Sequence, residues 1–411
     1  MISKIIRKQD RQIAKLIDAE EKRQQETIDL IASENYPSLA VREVLSSIFV
    51  AKYSEGRPYK RYYAGMENVD KLEVLAENRA RKAFDLDQNW SVNVQPYSGS
   101  PANYAVLRGI LKPGDKILSL LLSQGGHLTH GAPASVSGQD FKVVSYLLNN
   151  EGFLDYEAIE SLALQEKPNL IITGYSAYPR TIDFKRFGEI AKKAGAFLMA
   201  DIAHIAGLIA GKAHPSPFPY ADIVTTTTHK TLRGPRGAII FCKKELEKKI
   251  FPKVFPGLQG GPHNHTIAGI SIALKEAASP AFRKYAAQIV KNSKALSQSL
   301  GKYNFSLVSG GTDNHLMLIN ITNKGTTGNA AQILLEKAGI VINKNTVPNE
   351  TRPPYDPSGI RLGTPAVTTR HMKEKEMVRI AGWINEVISK PSSVIKVKKE
   401  VQKFCRKFPI W

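Results

Sequence analysis

The chain has 411 residues, of which 42% are hydrophobic and 23% charged, as in an ordinary folded protein, and its formal net charge is +20. This length favours two domains; no apolar run approaches the roughly 20 residues of a membrane helix, and we expect no signal peptide because the N-terminus lacks an apolar core. Cys242 and Cys405, the only cysteines, are too few for a disulfide framework or a zinc site, so we expect a reducing, cytoplasmic location.

The predicted elements fall into four segments. Residues 1–30 predict a charged helical N-terminal arm. Residues 31–278 alternate short apolar runs with helical stretches, which predicts a large α/β domain with a mostly parallel sheet. The predicted strands and helices of this segment are strands at 91–95, 116–122, 169–174, 196–200, 222–228 and 238–242, and helices over 102–111 and 184–194.

The pattern changes after about residue 279. Residues 279–389 predict a smaller C-terminal α+β domain, with helices over 282–300, 329–338 and 373–388 and strands at 305–308 and 315–321. Residues 390–411 form a basic amphipathic tail, in which the apolar positions Val394, Val397, Val401, Phe404 and Phe408 recur at helical spacing. We expect this tail to dock on the protein body, the alternative being contact with acidic lipid.

Two charged residues follow apolar strands in the large domain. Asp201 ends the run 196–200, and Lys230 follows the β-branched run 222–228. Open α/β sheets bind ligands at the carboxyl ends of their strands, so the two side chains are candidates for one site. Such a pair suits pyridoxal phosphate (PLP), since a lysine forms a Schiff base with the aldehyde and an aspartate pairs with the pyridinium nitrogen. Spacing alone leaves open the alternative of two unrelated surface residues.

Two further motifs are compatible with the same cofactor. The turn Ser98-Gly99-Ser100 joins a predicted strand to a predicted helix, where backbone N–H groups and hydroxyls can surround a phosphate. The string 125–131, Gly-Gly-His-Leu-Thr-His-Gly, offers His127 as an imidazole that could stack on an aromatic ring. The alternatives are a zinc site and a hydrogen-bonded core histidine. No nearby cysteine or carboxylate completes a zinc ligand set, so we expect no metal.

Eleven blocks, in order, resemble those of serine hydroxymethyltransferases, and the resemblance runs from Leu30 to about Ile388. The blocks are LIASEN at 30–35, KYSEG at 52–56, KRYYAG at 60–65, YSGSPAN at 97–103, GGHLTHG at 125–131, SAYPR at 176–180, ADIAHIAGL at 200–208, VTTTTHKTLRGPRG at 224–237, QGGP at 259–262, VSGGTDNHL at 308–316 and SGIRLGTPA at 358–366. The TTTTHKT block together with GPRG is the most specific of them.

The resemblance implies a PLP-dependent transferase of fold type I (aspartate aminotransferase-like) and a homodimer with shared active sites. It implies reversible conversion of L-serine and tetrahydrofolate to glycine and 5,10-methylenetetrahydrofolate through a PLP external aldimine. The alternative is a folate-independent PLP aldolase of β-hydroxy amino acids such as threonine. A nucleic-acid-binding protein is suggested only by the charge, and no RNA-binding motif accompanies it, so we expect no required nucleic acid.

The resemblance also implies roles for individual residues. Lys230 carries the Schiff base, Asp201 pairs with the pyridine nitrogen, and His127 stacks on the ring. The other cofactor contacts implied are Gly99, Ser100, Ser176, His204 and His229 in one subunit, and Tyr53, Gly260 and Gly261 from the other. The substrate positions implied are Ser33 and Arg361 for the carboxylate, Glu55 for proton transfer, Tyr62 and Tyr63 lining the site, and Leu122, Gly126, Leu128, Asn345, Pro353, Pro354 and Tyr355 for folate.

Some positions depart from the family pattern. Arg57 and Tyr59 replace a tyrosine and a glycine next to Glu55, which bears on the folate site. Tyr97 and Pro101 replace a histidine and a glutamine around the phosphate turn, and Leu258 replaces a glycine. An ion pair of Glu55 with Lys60 or Arg61 is the alternative to a proton-transfer role.

Overall fold

The computed structural model describes residues 4–411, so the first three residues of the predicted N-terminal arm lie outside it. The α-helices are α1 (Lys4–Gln9), α2 (Arg11–Glu26), α3 (Leu39–Val44), α4 (Glu67–Ala83), α5 (Gly99–Ile110), α6 (Val136–Asp140), α7 (Tyr156–Glu166), α8 (Phe184–Ala194), α9 (Ala206–Ala210), α10 (Glu247–Val254), α11 (Asn264–Ala277), α12 (Pro280–Lys302), α13 (Gly328–Lys337), α14 (Pro365–Thr369), α15 (Glu374–Ser389) and α16 (Val394–Cys405). The strands are β1 (Ile28–Asp29), β2 (Gly56–Arg57), β3 (Lys60–Arg61), β4 (Trp90–Asn93), β5 (Lys116–Leu120), β6 (Lys142–Tyr146), β7 (Leu170–Thr173), β8 (Phe197–Asp201), β9 (Ile223–Thr227), β10 (Ala238–Lys243), β11 (Ser306–Leu307), β12 (Leu316–Asn320), β13 (Ile340–Val341), β14 (Asn343–Asn345) and β15 (Gly359–Gly363).

A seven-stranded sheet carries the large core, in the order β4-β10-β9-β8-β7-β5-β6. Every neighbouring pair is parallel except those that involve β10, which runs antiparallel to both β4 and β9. The prediction of an α/β fold with a mostly parallel sheet is confirmed. All six predicted strands of this segment are present, but β5 ends at Leu120 because residues 122–124 turn into a 3-10 helix. The edge strand β6 was not predicted.

The sheet is covered on both faces, which explains the nearly continuous apolar runs of its strands. Side chains alternate between two cores: Leu198 and Val224 pack on one face, while Met199 and Ile223 pack on the other. Helices α7, α8 and α11 contribute to the first core, and α5 and α10 to the second. This packing fixes the carboxyl ends of β8 and β9 at one edge, where Asp201 and the segment leading to Lys230 emerge.

A four-stranded antiparallel sheet, in the order β11-β12-β15-β14, carries a separate core. Helices α13, α15 and α16 supply most of the side chains that cover it. The core also takes in Ile28 and Leu30, and α12 contributes to both this core and the large one. The packing therefore crosses residues 30, 279 and 390, and the division of the chain at those residues stays a prediction.

The basic tail docks on the protein body. Helix α16 buries Val397, Val401 and Phe404 in the core of the antiparallel sheet, and Val394 and Phe408 pack against the same core. Four of the five apolar positions predicted at helical spacing therefore lie on α16, and Phe408, which follows the end of the helix at Cys405, packs on the same core. These side chains are covered by the protein body and are not available to bind lipid. Within residues 4–411, no helix is both long and apolar enough to cross a membrane.

The N-terminal arm, predicted to be helical over residues 1–30, is helical in α1 and α2, whereas Ile28 and Asp29 form the short strand β1. Asp10 separates α1 from α2 and caps α2, its carboxylate accepting from the backbone N–H groups of Gln12 and Ile13 at 2.9 and 3.0 Å. Of the residues of α2, Ala14 alone is buried, while Ile13, Leu16 and Ile17 are 40–67% exposed. The arm thus presents apolar side chains that its own chain leaves uncovered.

Candidate active site

A cavity of about 1200 Å³ opens at the carboxyl edge of the large sheet. Ten of the residues expected in the active site line it: Ser33, Gly99, Ser100, His127, Ser176, Asp201, His204, His229, Lys230 and Arg361. They come from seven separate parts of the chain, so the fold brings together what the sequence spreads over more than 300 positions. The cavity is the strongest candidate for the active site.

Lys230 lies three residues beyond β9 and is 9% exposed. Burial lowers the pKa of its amine to about 8, although the Asp201 carboxylate acts in the opposite direction. An amine with this pKa is partly neutral at neutral pH and can attack a carbonyl carbon. Its backbone carbonyl accepts a hydrogen bond from the Asn35 amide at 2.9 Å, which ties the lysine to the loop that carries Ser33.

Asp201, the last residue of β8, is held as a carboxylate. Its Oδ2 accepts from Asn103 Nδ2 at 2.7 Å and faces His130 Nε2 at 3.0 Å, while Oδ1 accepts from the Ala203 N–H at 3.0 Å. Burial alone would raise the pKa of Asp201, but the hydrogen bond and charge of His130 outweigh it and the pKa lies well below its usual range. A permanently anionic group here would keep a protonated ring nitrogen in place.

His127 lines the cavity as a neutral imidazole. Burial, with a contribution from His130, lowers its pKa to about 4. Its Nδ1 accepts from the Thr129 N–H at 3.2 Å and lies 2.7 Å from Thr129 Oγ1, so the ring orientation is fixed by the backbone that follows it. A neutral ring of fixed orientation is suited to stacking.

The expectation of no metal rested partly on the lack of a carboxylate near the two histidines, and that reason was wrong. The side chains of His127, His130 and Asp201 come together, with one possible ligand atom of each lying within 4.8 Å of the others. Asp201 is far from the histidines in sequence, and only the packing of β8 against the loop after β5 reveals the cluster. Hydrogen bonds explain why these three side chains lie together, because His130 faces Asp201 and the Thr129 N–H donates to His127.

The turn Ser98-Gly99-Ser100 begins α5 at the cavity wall. A Cβ on Gly99 would come within 2.8 Å of Thr227 Cγ2, so the close approach of β9 requires glycine there. Beside this turn, Thr227 Oγ1 and His229 Nδ1 are buried without a hydrogen-bond partner among residues 4–411. Pro101 lies in the first turn of α5, where its missing N–H costs nothing. A helix N-terminus with two unpaired polar atoms fits a phosphate group.

Arg361, in β15, reaches the cavity from the antiparallel sheet. Its Nη1 donates to the Ser176 carbonyl at 2.6 Å and its Nε to Asn343 Oδ1 at 3.1 Å. Burial lowers its pKa to about 10, so the guanidinium remains charged at neutral pH. Held on two sides, it can offer its remaining N–H groups to a carboxylate.

A second cluster contains Tyr53, Glu55, Tyr63, Gly260 and Gly261, and we call it the Tyr53–Glu55 cluster. The Tyr53 hydroxyl donates to Glu55 Oε1 at 3.2 Å, and the Tyr53 and Tyr63 rings meet edge to face with centroids 5.2 Å apart. A Cβ on Gly260 would lie 3.2 Å from Glu55 Oε1, and one on Gly261 would lie 3.2 Å from the Tyr53 ring. Within the described residues 4–411, none of these five residues lines the cavity that contains Lys230.

A buried ion-pair network lies under Glu55. Arg61 pairs with Asp70 at 2.8 Å and Glu73 at 2.7 Å, and it donates to the carbonyls on both sides of Glu55. Among residues 4–411, Glu55 pairs with neither Lys60 nor Arg61, and its carboxylate accepts from Tyr53, so the alternative ion pair is wrong. Arg57 turns towards the same network, pairing with Glu73 at 2.9 Å and Glu77 at 2.5 Å, so this departure from the family pattern points away from Glu55.

The segments expected to contact folate lie outside the cavity lining, as does Tyr62, which packs edge to face on Phe255. Leu122 and Leu128 are 41% and 53% exposed, and Tyr355 is 74% exposed. Asn345 donates to the Thr346 carbonyl at 2.7 Å. The other positions expected to contact folate also lie outside the cavity lining, and they are Gly126, Pro353 and Pro354.

Four polar residues that sequence reasoning missed support the cavity, and three of them, Asn103, His130 and His315, are buried. Asn35 holds the Lys230 carbonyl, Asn103 and His130 hold Asp201, and His315 contacts His204 at 3.2 Å. Each lies inside one of the quoted blocks, so the blocks were the available signal. Their partners lie 71 to 195 residues away, and no local pattern connects them.

The fold and the cavity together define a class: an α/β protein whose buried lysine, anionic aspartate and phosphate-sized cradle fit pyridoxal phosphate. Comparison with known proteins narrows the class. The family model "Serine hydroxymethyltransferase" matches residues 6–384. A curated protein of that name from Desulfotalea psychrophila (strain LSv54 / DSM 12343) is 54% identical over 407 residues, covering 98% of this chain and 95% of the relative. The chain belongs to the serine hydroxymethyltransferase family of PLP-dependent enzymes of fold type I.

Proposed function

We propose that the chain catalyses the reversible conversion of L-serine and tetrahydrofolate to glycine and 5,10-methylenetetrahydrofolate. The observation that carries the proposal is the meeting of Lys230, Asp201, His127 and Arg361 in one cavity of a chain that belongs to this family. When bound, pyridoxal phosphate supplies an electron sink for cleavage of the Cα–Cβ bond of serine.

The proposed roles within the cavity follow from the contacts described. Lys230 binds the aldehyde of the cofactor, and Asp201 holds a proton on its ring nitrogen. The Ser98–Ser100 turn, with Thr227 and His229, holds the phosphate. Arg361 and Ser33 bind the substrate carboxylate, which leaves the serine side chain free to face a proton-transfer group.

Glu55 is the proposed proton-transfer group, moving a proton at the serine hydroxyl, with Tyr63 beside it. Within one chain, the Tyr53–Glu55 cluster lies apart from the cavity that holds Lys230. We therefore propose a homodimer in which each cavity is completed by the partner's cluster. The exposed apolar side chains of α2 support this, because Ile13, Leu16 and Ile17 stand at the cavity mouth and a second copy would cover them.

Folate contacts at Leu122, Gly126, Leu128, Asn345 and the segment 353–355 remain part of the proposal. So does a reducing cytoplasmic location, which the buried free thiols of Cys242 and Cys405 support. The exposed faces of Leu122, Leu128 and Tyr355 leave apolar surface for a pterin or its side chain.

The first experiment measures glycine formation from serine with and without tetrahydrofolate. We expect formation that depends on tetrahydrofolate, loss of it in Lys230→Ala, and normal activity in Lys253→Ala, a control at an exposed lysine. Equal rates of serine cleavage without folate would instead identify an aldolase.

The second experiment tests the shared site by mixing two inactive variants, Lys230→Ala and Glu55→Gln. In a mixed dimer one cavity carries both defects and the other carries neither. Random reassociation should therefore restore about one quarter of the wild-type activity. Absence of any recovery, with mixed dimers demonstrated by native mass spectrometry, would contradict the shared site.

A further inference from the structure

A pair of buried histidines lies behind the cavity, joining the two sheets. His204 lies in the loop after β8, and His315 lies immediately before β12. Nδ1 of His204 is 3.2 Å from Nε2 of His315. His315 is fully buried and His204 is 6% exposed. Of the two, only His204 lines the large cavity.

Both rings are neutral at neutral pH. Burial lowers the pKa of His315 to about 3, with the positive charges of Arg361 and Lys230 acting in the same direction. Burial likewise holds the pKa of His204 well below its usual range, and the same two cations again contribute. Each ring therefore carries one proton, and one nitrogen of the contact must donate while the other accepts.

The two possible arrangements leave different atoms unpaired. His315 Nδ1 has no hydrogen-bond partner among residues 4–411. If His204 donates, that Nδ1 is a buried N–H donor with no acceptor, whereas if His315 donates it is only a bare acceptor. Buried N–H groups without a partner are rarer than under-satisfied acceptors. A cavity of about 10 Å³ beside His315, near the lower limit for one water, could hold a molecule that donates to this nitrogen.

We propose that His315 is a positioning residue that fixes the tautomer of His204. Its Nε2–H donates to His204 Nδ1, and the proton of His204 is then on Nε2, the ring nitrogen left for a ligand in the large cavity. His204 thereby presents a donor rather than an acceptor, which suits the negatively charged phenolic oxygen of the cofactor, the group beside which the family resemblance places His204. The identity of that ligand rests on the proposed function, but the tautomer does not.

His214 provides an internal reference of the opposite kind. Its Nδ1 lies 2.9 Å from the Pro215 carbonyl oxygen, which can only accept, so the proton of a neutral His214 is on Nδ1. The chain therefore contains two buried histidines whose tautomers are predicted to be opposite.

The decisive measurement is the long-range ¹⁵N–¹H spectrum of the full chain labelled with ¹⁵N-histidine, with and without pyridoxal phosphate. Signals of His204 and His214 are assigned from His204→Gln and His214→Gln. We expect a protonated Nε2 and a bare Nδ1 for His204, and the reverse for His214. A protonated Nδ1 on His204 in either sample would overturn the proposal.

Two variants test the role of His315. His315→Phe keeps a ring but removes the donor, and we expect loss of the single His204 tautomer and roughly tenfold weaker retention of pyridoxal phosphate, the effect of losing one hydrogen bond to a charged group. His315→Gln can place an amide N–H near the original Nε2 and should restore both. A single unchanged His204 tautomer in a folded Phe variant would refute the role. If the Phe variant does not fold, the wild-type spectrum and the Gln variant decide.

The outcomes separate this proposal from the proposed function. A chain that binds no pyridoxal phosphate but shows the predicted His204 tautomer would refute the function alone. A chain that binds the cofactor with a bare Nε2 on His204 would refute the tautomer proposal alone.

Discussion

Replacement of Glu55 by glutamine is the sharpest perturbation of the proposed mechanism, because it removes the acid while keeping the shape. The contacts around Glu55 indicate that the variant keeps the backbone conformation of the wild type. Arg61 donates to the Ser54 and Gly56 carbonyls at 3.0 and 2.7 Å, and the Tyr62 N–H donates to the Glu55 carbonyl at 3.2 Å. The backbone path therefore does not depend on the carboxylate.

The expected magnitude follows from the proton-transfer role. General acid–base groups contribute about 10²–10⁴-fold, so serine turnover with tetrahydrofolate should fall by at least two orders of magnitude, about 2.7 kcal/mol of transition-state stabilisation. Binding of pyridoxal phosphate and of glycine should persist, because Lys230, Asp201 and Arg361, the main residues proposed to hold them, line the cavity and keep their contacts in the variant.

The assay compares steady-state turnover with visible absorbance of the bound cofactor before and after glycine. Glu67→Gln is the matched control, since Glu67 is an exposed carboxylate that pairs with Lys71 on the same helix. Near wild-type turnover by Glu55→Gln would transfer the role to another group, with Tyr63 or His127 the next candidates.

Three further predictions concern stability, each measured by urea or thermal unfolding. Tyr59 has a left-handed backbone with φ of 62°, so Tyr59→Gly should stabilise the fold by up to about 1 kcal/mol, whereas Tyr59→Ala, which keeps the strain, should give no gain. Phe404→Ala should lower the free energy of unfolding by about 3–5 kcal/mol, because the Phe404 ring is buried against Trp383. Lys403 is exposed, so Lys403→Ala should change this free energy by less than about 0.5 kcal/mol, and a larger change would contradict the docked arrangement of the tail. The cofactor-free protein should lose stability as pH falls from 6.5 towards 4. Burial lowers the pKa of His315 and His229 to about 3 in the folded chain, so the unfolded chain binds protons in this pH range that the folded chain does not. Each of the two histidines should therefore lower the free energy of unfolding by about 1.4 kcal/mol per pH unit. An unfolding midpoint that does not change between pH 7 and pH 5 would contradict the burial of neutral histidines.

The parts of the fold that the sequence predicted are those governed by local patterns. Helix α8 coincides with its predicted span, 184–194, because a Phe-led apolar face begins after the Asp183 cap and ends at Gly195. The edge strand β6 was missed, although its sequence resembles that of β5; at the edge of the sheet most of its residues are only partly buried. The antiparallel β10 could not be distinguished from its parallel neighbours, since burial on both faces gives the same apolar pattern in either direction.

The candidate site shows a similar division. Asp201 and Lys230 were predicted because each follows a strand, which can be recognised from the neighbouring sequence. The residues that hold Asp201 were not predicted, because Asn103 and His130 lie 98 and 71 residues away from it in the chain. Arg57 lies next to Glu55 in sequence but turns to Glu73 and Glu77, since a buried pair of carboxylates needs positive charge. Proximity along the chain was therefore a poor guide to which charges meet.

Whether the chain is a folate-dependent enzyme of pyridoxal phosphate can be decided from the visible absorbance spectrum of the purified protein with the cofactor, recorded alone and then with glycine plus tetrahydrofolate. We expect a yellow protein whose spectrum changes on adding glycine and changes again on adding tetrahydrofolate, and we expect Lys230→Ala to lose the covalent link to the cofactor. A colourless protein that cannot be charged with pyridoxal phosphate, or a spectrum with glycine that tetrahydrofolate leaves unaltered, would contradict this expectation.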